Sequence, residues 1–230
     1  MKQALYGRFG SNGPAIRRFL LDLVFPEGAV CRSCGRISRG DVLCPECAER
    51  LRSDGFAFAW EREELEPDLI AYSLRPHAGV ARDLILRLKH GAEACAVRPL
   101  AELLLPLPDG LTLEPDTVVT WVPMPESRRL ERSIDHARTL AEAVAEKLSL
   151  ACRPLLVRQE TGERHQAELD RRHREENLRH AFVPAGSFSG PVLLVDDVLT
   201  TGTTARRCAE ALRLGGASRI TVLTFTRAVR

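Results

Sequence analysis

Val192-Leu193-Leu194-Val195-Asp196-Asp197-Val198-Leu199-Thr200-Thr201-Gly202-Thr203-Thr204, with the helical pattern behind it, decides the fold of this chain. Residues 192–195 form a short, wholly apolar run, the pattern of a strand buried on both faces. Asp196 and Asp197 stand where that strand is expected to end. A turn of small hydroxyl residues and one glycine then enters residues 205–214, which carry Cys208, Leu212 and other small apolar side chains at helical spacing. Gly215 and Gly216 close the helix, and residues 220–225 read as the next strand. The order predicts a βαβ unit with a phosphate-sized cradle at its first turn.

The chemistry of that turn follows from its residue types. Backbone N–H groups around residues 201–204 cannot all bond within the first helical turn, so they are free to hold an anion. Threonine hydroxyls add donors, and Gly202 lets the backbone approach a phosphate without a Cβ in the way. Carboxylates are wrong for a phosphate but right for sugar hydroxyls, or for a metal bridging sugar and phosphate. A 5-phosphorylated ribose meets both demands. The plainer reading is an acidic pair at a strand end with an ordinary Thr-rich helix start. The strand–turn–helix context favours the ligand. Neither G-x-x-x-x-G-K-[ST] nor a G-x-G-x-x-G behind a predicted strand competes with it.

The run resembles the phosphoribosyl-diphosphate (PRPP) signature of type I phosphoribosyltransferases. That resemblance implies that Asp196 and Asp197 take the ribose hydroxyls. It assigns the 5-phosphate to Thr200, Thr201, Gly202, Thr203 and Thr204, with Mg²⁺ accompanying PRPP.

Near the front stand Cys31-Arg-Ser-Cys34 and Cys44-Pro-Glu-Cys47, nine residues apart. Two C-x-x-C knuckles at this range provide four thiolates that can converge on one Zn²⁺ ion. Four protein ligands leave no open coordination position, so the expected role is structural. A redox pair is the rival, but two motifs outside any βαβ pattern favour zinc. Cys95, Cys152 and Cys208 are isolated and read as small buried residues.

The chain has 230 residues, room for one α/β domain and a small appendage. Hydrophobic residues make up 44% and charged residues 28%, a composition able to bury a core. A formal net charge of +2 does not advertise nucleic-acid binding. The apolar segment 19–25 is short, interrupted by Asp22 and stopped by Pro26, so it predicts an amphipathic helix from about Ala15 and no membrane insertion. Seven cysteines, an odd number, suit a reducing cytoplasm better than a disulfide framework.

The expected organisation is an N-terminal helical segment over 1–27, a four-cysteine zinc-binding domain over 28–60 and an α/β domain over 68–230. Phe56, Phe58 and Trp60 alternate, read as a strand packing into the core, with base stacking as the alternative. Residues 61–67 read as an acidic linker. Strands are expected over 69–73 and 118–122, and helices over 79–89, over 92–105 and around Ile134 to Leu148, with Asp135 in the first turn. Residues 123–132 hold Arg128, Arg129 and Arg132 just past a strand, where guanidinium groups could stabilise departing pyrophosphate. Residues 159–177 are polar and charged, readable as a lid or as a solvated loop.

The whole chain resembles the ComF family of competence proteins, which pairs a zinc knuckle with a phosphoribosyltransferase domain. The features that carry it are Phe25-Pro26, the two C-x-x-C pairs, Leu88-Lys89-His90-Gly91, Val122-Pro123-Met124-Pro125, Gln166 with Leu169, Arg174 with Asn177, Ala181-Phe182 and the PRPP run. Where many relatives carry Arg-Gly-Phe-Asn-Gln, this chain has Arg132-Ser133-Ile134-Asp135-His136. The resemblance implies an α/β fold, a type I phosphoribosyltransferase-like parallel sheet with helices on both faces behind the four-cysteine module. It also implies a cytoplasmic role in natural transformation, with single-stranded DNA and other competence proteins as partners. Residues 1–60 hold nine Lys/Arg against six Asp/Glu, a modest basic excess. A working transferase of nucleobase salvage and a PRPP-sensing regulator stand as alternatives, and no residue is identified as a general base.

Overall fold

A computed structural model describes residues 30–31, 33–38, 43–53, 60–90, 107–126, 135–159 and 181–228. In chain order they form α1 (Pro45–Ser53), β1 (Glu61–Glu66), β2 (Leu69–Pro76), α2 (Gly79–His90), β3 (Val118–Trp121), α3 (His136–Leu148), β4 (Ala151–Cys152), β5 (Leu156–Arg158), β6 (Phe182–Pro184), β7 (Gly190–Leu199), α4 (Thr203–Gly215) and β8 (Ala217–Arg227). Six strands make one sheet in the order β1-β2-β8-β7-β3-β4, and β5 pairs with β6 in a separate antiparallel hairpin. Every pairing in the large sheet is parallel except β1 with β2.

The apolar run of β7 explains its central place. Val192, Leu193, Leu194 and Val195 are each at most 2% exposed. Successive side chains point to opposite faces. Leu193 and Val195 join a core with Leu84 and Ile85 of α2 and Leu140 and Val144 of α3. Val192 and Leu194 join a second core with Cys208, Ala209 and Leu212 of α4 and Leu156 and Phe182 of the hairpin. Helices therefore cover both faces, as expected. Full burial of one such leucine contributes roughly 1.5–3 kcal/mol. The β7–α4–β8 crossover is the anticipated βαβ unit, since β7 and β8 are parallel neighbours.

One expectation is corrected. The stretch expected as an acidic linker is β1, an edge strand with Glu61 opposite Ser73 and Glu64 opposite Ile70. Its charges are held by neighbours: Arg227 reaches Glu61 at 3.4 Å and Glu63 at 3.0 Å, and Arg213 reaches Glu66 at 2.8 Å. Pairing and opposite charge hold a strand that no apolar alternation announces. The knuckle cysteines Cys31, Cys44 and Cys47 lie in the same core as α2 and α3, rather than apart from it. Trp60 packs on that core too, while Phe56 and Phe58 lie outside the described residues. So do the helices expected from Ala15 and over 92–105.

Candidate functional site

At the C-terminal end of β7 the ladder does not stop at the two acids. Asp196 pairs with Thr224, Val198 with Thr226 and Leu199 with Arg227, so the carboxylates lie within the strand rather than beyond it. The reason is β8, which runs alongside to Arg227 and supplies backbone partners throughout. Both acids are half-buried, and the Asp197 N–H donates to Asp196 Oδ1 at 2.8 Å. That bond ties the two acids to each other at the strand end, with carboxylate oxygens, which are acceptors, as the polar atoms of both side chains.

Behind Thr200 the chain turns through Gly202 at φ 74°, a left-handed conformation, and α4 starts at Thr203. Its N-cap, Gly202, has no side chain to bond the first-turn N–H groups. A first turn without an N-cap side chain leaves N–H donors that an anion can take. The hydroxyls of Thr201 and Thr203 lie 2.8 Å apart, and the Thr203 N–H donates to Thr201 Oγ1 at 3.4 Å. Thr200 and Thr201 are exposed, while Thr203 and Thr204 are half-buried. The seven residues expected to hold a ribose phosphate thus form one continuous strand-end and helix-start.

Two supports of this turn were not read from the sequence. Leu65 of β1 packs over Gly202, and Arg206 of α4 bonds the turn's backbone. Leu65 comes from a distant part of the chain, and Arg206, though next to the turn in sequence, is fixed in place by the Leu65 carbonyl it reaches. Cys208, fully buried as expected, sits beneath. Burial and then the Asp196 charge push its thiol well above the usual range, with Arg158 opposing. Cys152 departs from the buried reading, being only half-buried on the short strand β4.

The four knuckle cysteines converge. Their Sγ atoms all lie within 4.8 Å of one another, and Cys34 and Cys44 are 3.7 Å apart. Thiolates around one tetrahedral ion with bonds of about 2.3 Å stand about 3.8 Å apart. The donor set therefore fits a metal ion. Burial raises the Cys31 thiol, but backbone donors from Cys44, Cys34 and Ser33 bring it down to about 6. Burial pushes Cys47 up to about 12, and the neighbouring cysteines add to that against Ser33. The Arg36–Glu46 ion pair ties the first knuckle to the second, and Ser33 Oγ meets Asp83 Oδ2 of α2 at 3.5 Å.

Arg128, Arg129 and Arg132 lie outside the described residues, as does the expected lid beyond Gln159. Cys95 does so as well. Among the described residues, no helix is long and apolar enough to cross a membrane.

No family model matches the chain. It is similar to the DNA utilization protein YhgH of Salmonella typhimurium, 27% identical over 210 residues that span 88% of this chain and 92% of the relative. The protein of the same name from Escherichia coli K12 is 26% identical over the same span. Among solved structures it overlaps a glutamine PRPP amidotransferase from B. subtilis complexed with ADP and GMP, with a TM-score of 0.37 and 22% identity. That overlap covers 65% of this chain but only 28% of the amidotransferase. Adenine phosphoribosyltransferase from Leishmania tarentolae overlaps 73% of the chain, with a TM-score of 0.37 and 12% identity.

Proposed function

We propose that this chain is a ComF-like DNA-handling protein that binds PRPP at the β7–α4 junction and carries a structural zinc ion in its cysteine cluster. The observation that carries the PRPP reading is the glycine-led start of α4 directly behind two half-buried carboxylates. Asp196 and Asp197 would bond the ribose hydroxyls, and the 200–204 turn would take the 5-phosphate through backbone N–H groups and hydroxyls. Mg²⁺ bound with PRPP would supply charge neutralisation of the diphosphate. The chain's own share is to orient the sugar and hold its phosphate. Cys31, Cys34, Cys44 and Cys47 would hold Zn²⁺, whose contribution is folding free energy.

The DNA part of the proposal rests on similarity across most of the chain to proteins named for DNA utilization. In a competent host, deletion of the gene should lower transformation, and a Cys31→Ser, Cys34→Ser variant should not restore it. A deletion strain that transforms normally but fails to use an external nucleobase would establish the salvage enzyme instead.

Replacing Asp196 and Asp197 together with Ala should weaken Mg²⁺-dependent PRPP binding by a few kcal/mol, since hydrogen bonds to charged groups contribute roughly 1.5–3 each. Titration calorimetry on the folded double variant checks this, and unchanged affinity would move the ligand elsewhere. Pyrophosphate release from PRPP across a panel of nucleobases separates a transferase from a sensor.

A further inference from the structure

Strand β1 carries a bulge. Glu64 faces Ile70 and Glu66 faces Leu69, so Leu65 is an extra residue outside the regular register. A bulge re-aims its residue, and here the Leu65 side chain meets the 200–204 turn while its carbonyl meets the arginine that bonds that turn. Its carbonyl accepts from Arg206 Nε at 3.1 Å. The Nη1 group of the same guanidinium donates to the Thr201 carbonyl at 2.8 Å. The Leu65 side chain, 8% exposed, lies so close over Gly202 that a Cβ there would stand 2.8 Å from Leu65 Cδ2 and 3.2 Å from Arg206 Nη1.

Both acceptors of Arg206 are carbonyls, so neither neutralises its charge. The guanidinium also lines an open groove of about 580 Å³ together with Thr203, Arg207, Arg213, Glu66 and Glu210. A planar fork is suited to this task, because it reaches two carbonyls in fixed directions where an ammonium offers one point of charge.

We propose that Arg206 is a positioning residue: with the Leu65 bulge it straps the 200–204 turn into its anion-accepting shape, and its charge stands behind the 5-phosphate. The entropy of ordering that turn is then met when the chain folds, rather than when ligand binds. The proposal deepens the PRPP reading and rests on it for the identity of the anion. The strap itself is a property of the ligand-free chain.

Full-length Arg206→Met, Arg206→Lys, Leu65→Ala, Gly202→Ala and the Leu65→Ala/Gly202→Ala pair test it. Two measurements are used: backbone amide exchange over residues 200–206 without ligand, and PRPP affinity with Mg²⁺. Arg206→Met should raise exchange in the turn and weaken PRPP by about tenfold, with native circular dichroism. Arg206→Lys should restore part of both, since it keeps the charge but has its donors on a single nitrogen. Leu65→Ala should offset part of the Gly202→Ala effect on exchange, because it removes the clashing methyl group. That coupling decides the matter if Arg206→Met does not fold. Unaltered exchange in Arg206→Met, or strictly additive Leu65 and Gly202 effects, would overturn the strap. Failure of the wild-type chain to bind PRPP, with the exchange results as expected, would overturn the ligand and leave the strap standing.

Discussion

Gly216 ends α4 at φ 110°, and a Cβ built there would lie 2.1 Å from the Phe188 carbonyl oxygen. The left-handed region costs an ordinary residue about 1–2 kcal/mol, and backbone cannot yield as a side-chain tip can. Gly216→Ala should therefore cost at least about 3 kcal/mol and lower the Tm by roughly 6 °C or more. Gly186, with nothing within 4 Å of the built Cβ, is the control, and Gly186→Ala should stay within about 0.5 kcal/mol. Differential scanning calorimetry of the two variants distinguishes them. At Cys152, burial first and the Glu142 charge second raise the thiol to about 11, with Arg138 opposing. The folded chain then keeps a proton that the unfolded chain releases above its ordinary thiol range. This contribution is complete below the ordinary pKa and is lost as pH rises toward about 11. Cys152→Ala should accordingly flatten the alkaline limb of a stability–pH curve measured by urea unfolding. An unchanged limb would remove Cys152 as its source.

At the scale of elements, α3 shows how far local signals reach. Its apolar spacing foretold a buried face, and Leu140, Ala141 and Val144 are each fully buried. Asp135, expected inside the first turn, is instead the N-cap, accepting from the Arg138 N–H at 3.2 Å. Asp135→Ala should cost about 0.5–2 kcal/mol in urea unfolding, and Asp135→Ser should recover most of it. The edge strand β1 shows the opposite case. Its six residues contain one apolar side chain, Leu65, so no period of two marks them as a strand. What makes them one is the ladder to β2 and the arginines of α4 and β8. Those partners are far away in sequence and invisible to a local reading.

At the scale of the whole molecule, the cysteine cluster shares a core with α2, α3 and the sheet. Metal held there should stabilise more than the knuckles. Purified protein should contain close to one equivalent of zinc, and chelation should lower the Tm of the entire unfolding transition. Metal analysis with calorimetry before and after chelation checks both points. Folded, metal-free protein with its thiols paired as disulfides would rule out the site. Two separate transitions, with only the minor one responding, would show the knuckles to be energetically independent.

From the sequence alone came the βαβ unit, the continuous strand-end and helix-start of residues 196–204, and a four-cysteine set of metal-ligand spacing. Each is encoded by neighbours along the chain: an apolar run, a glycine, a C-x-x-C pair. Distances no longer than one turn of helix or one knuckle are set by covalent geometry, so local sequence is sufficient for them. The closure of β1, the extension of β7 to Leu199 and the meeting of Leu65 and Arg206 at the turn depended on the tertiary structure. Leu65 and Arg206 stand 141 residues apart, and only the assembled sheet brings the carbonyl of one to the guanidinium of the other. Such contacts depend on register and on which strand lies at the edge. Both are set by the packing of the whole chain, because no single segment can bury its apolar face alone.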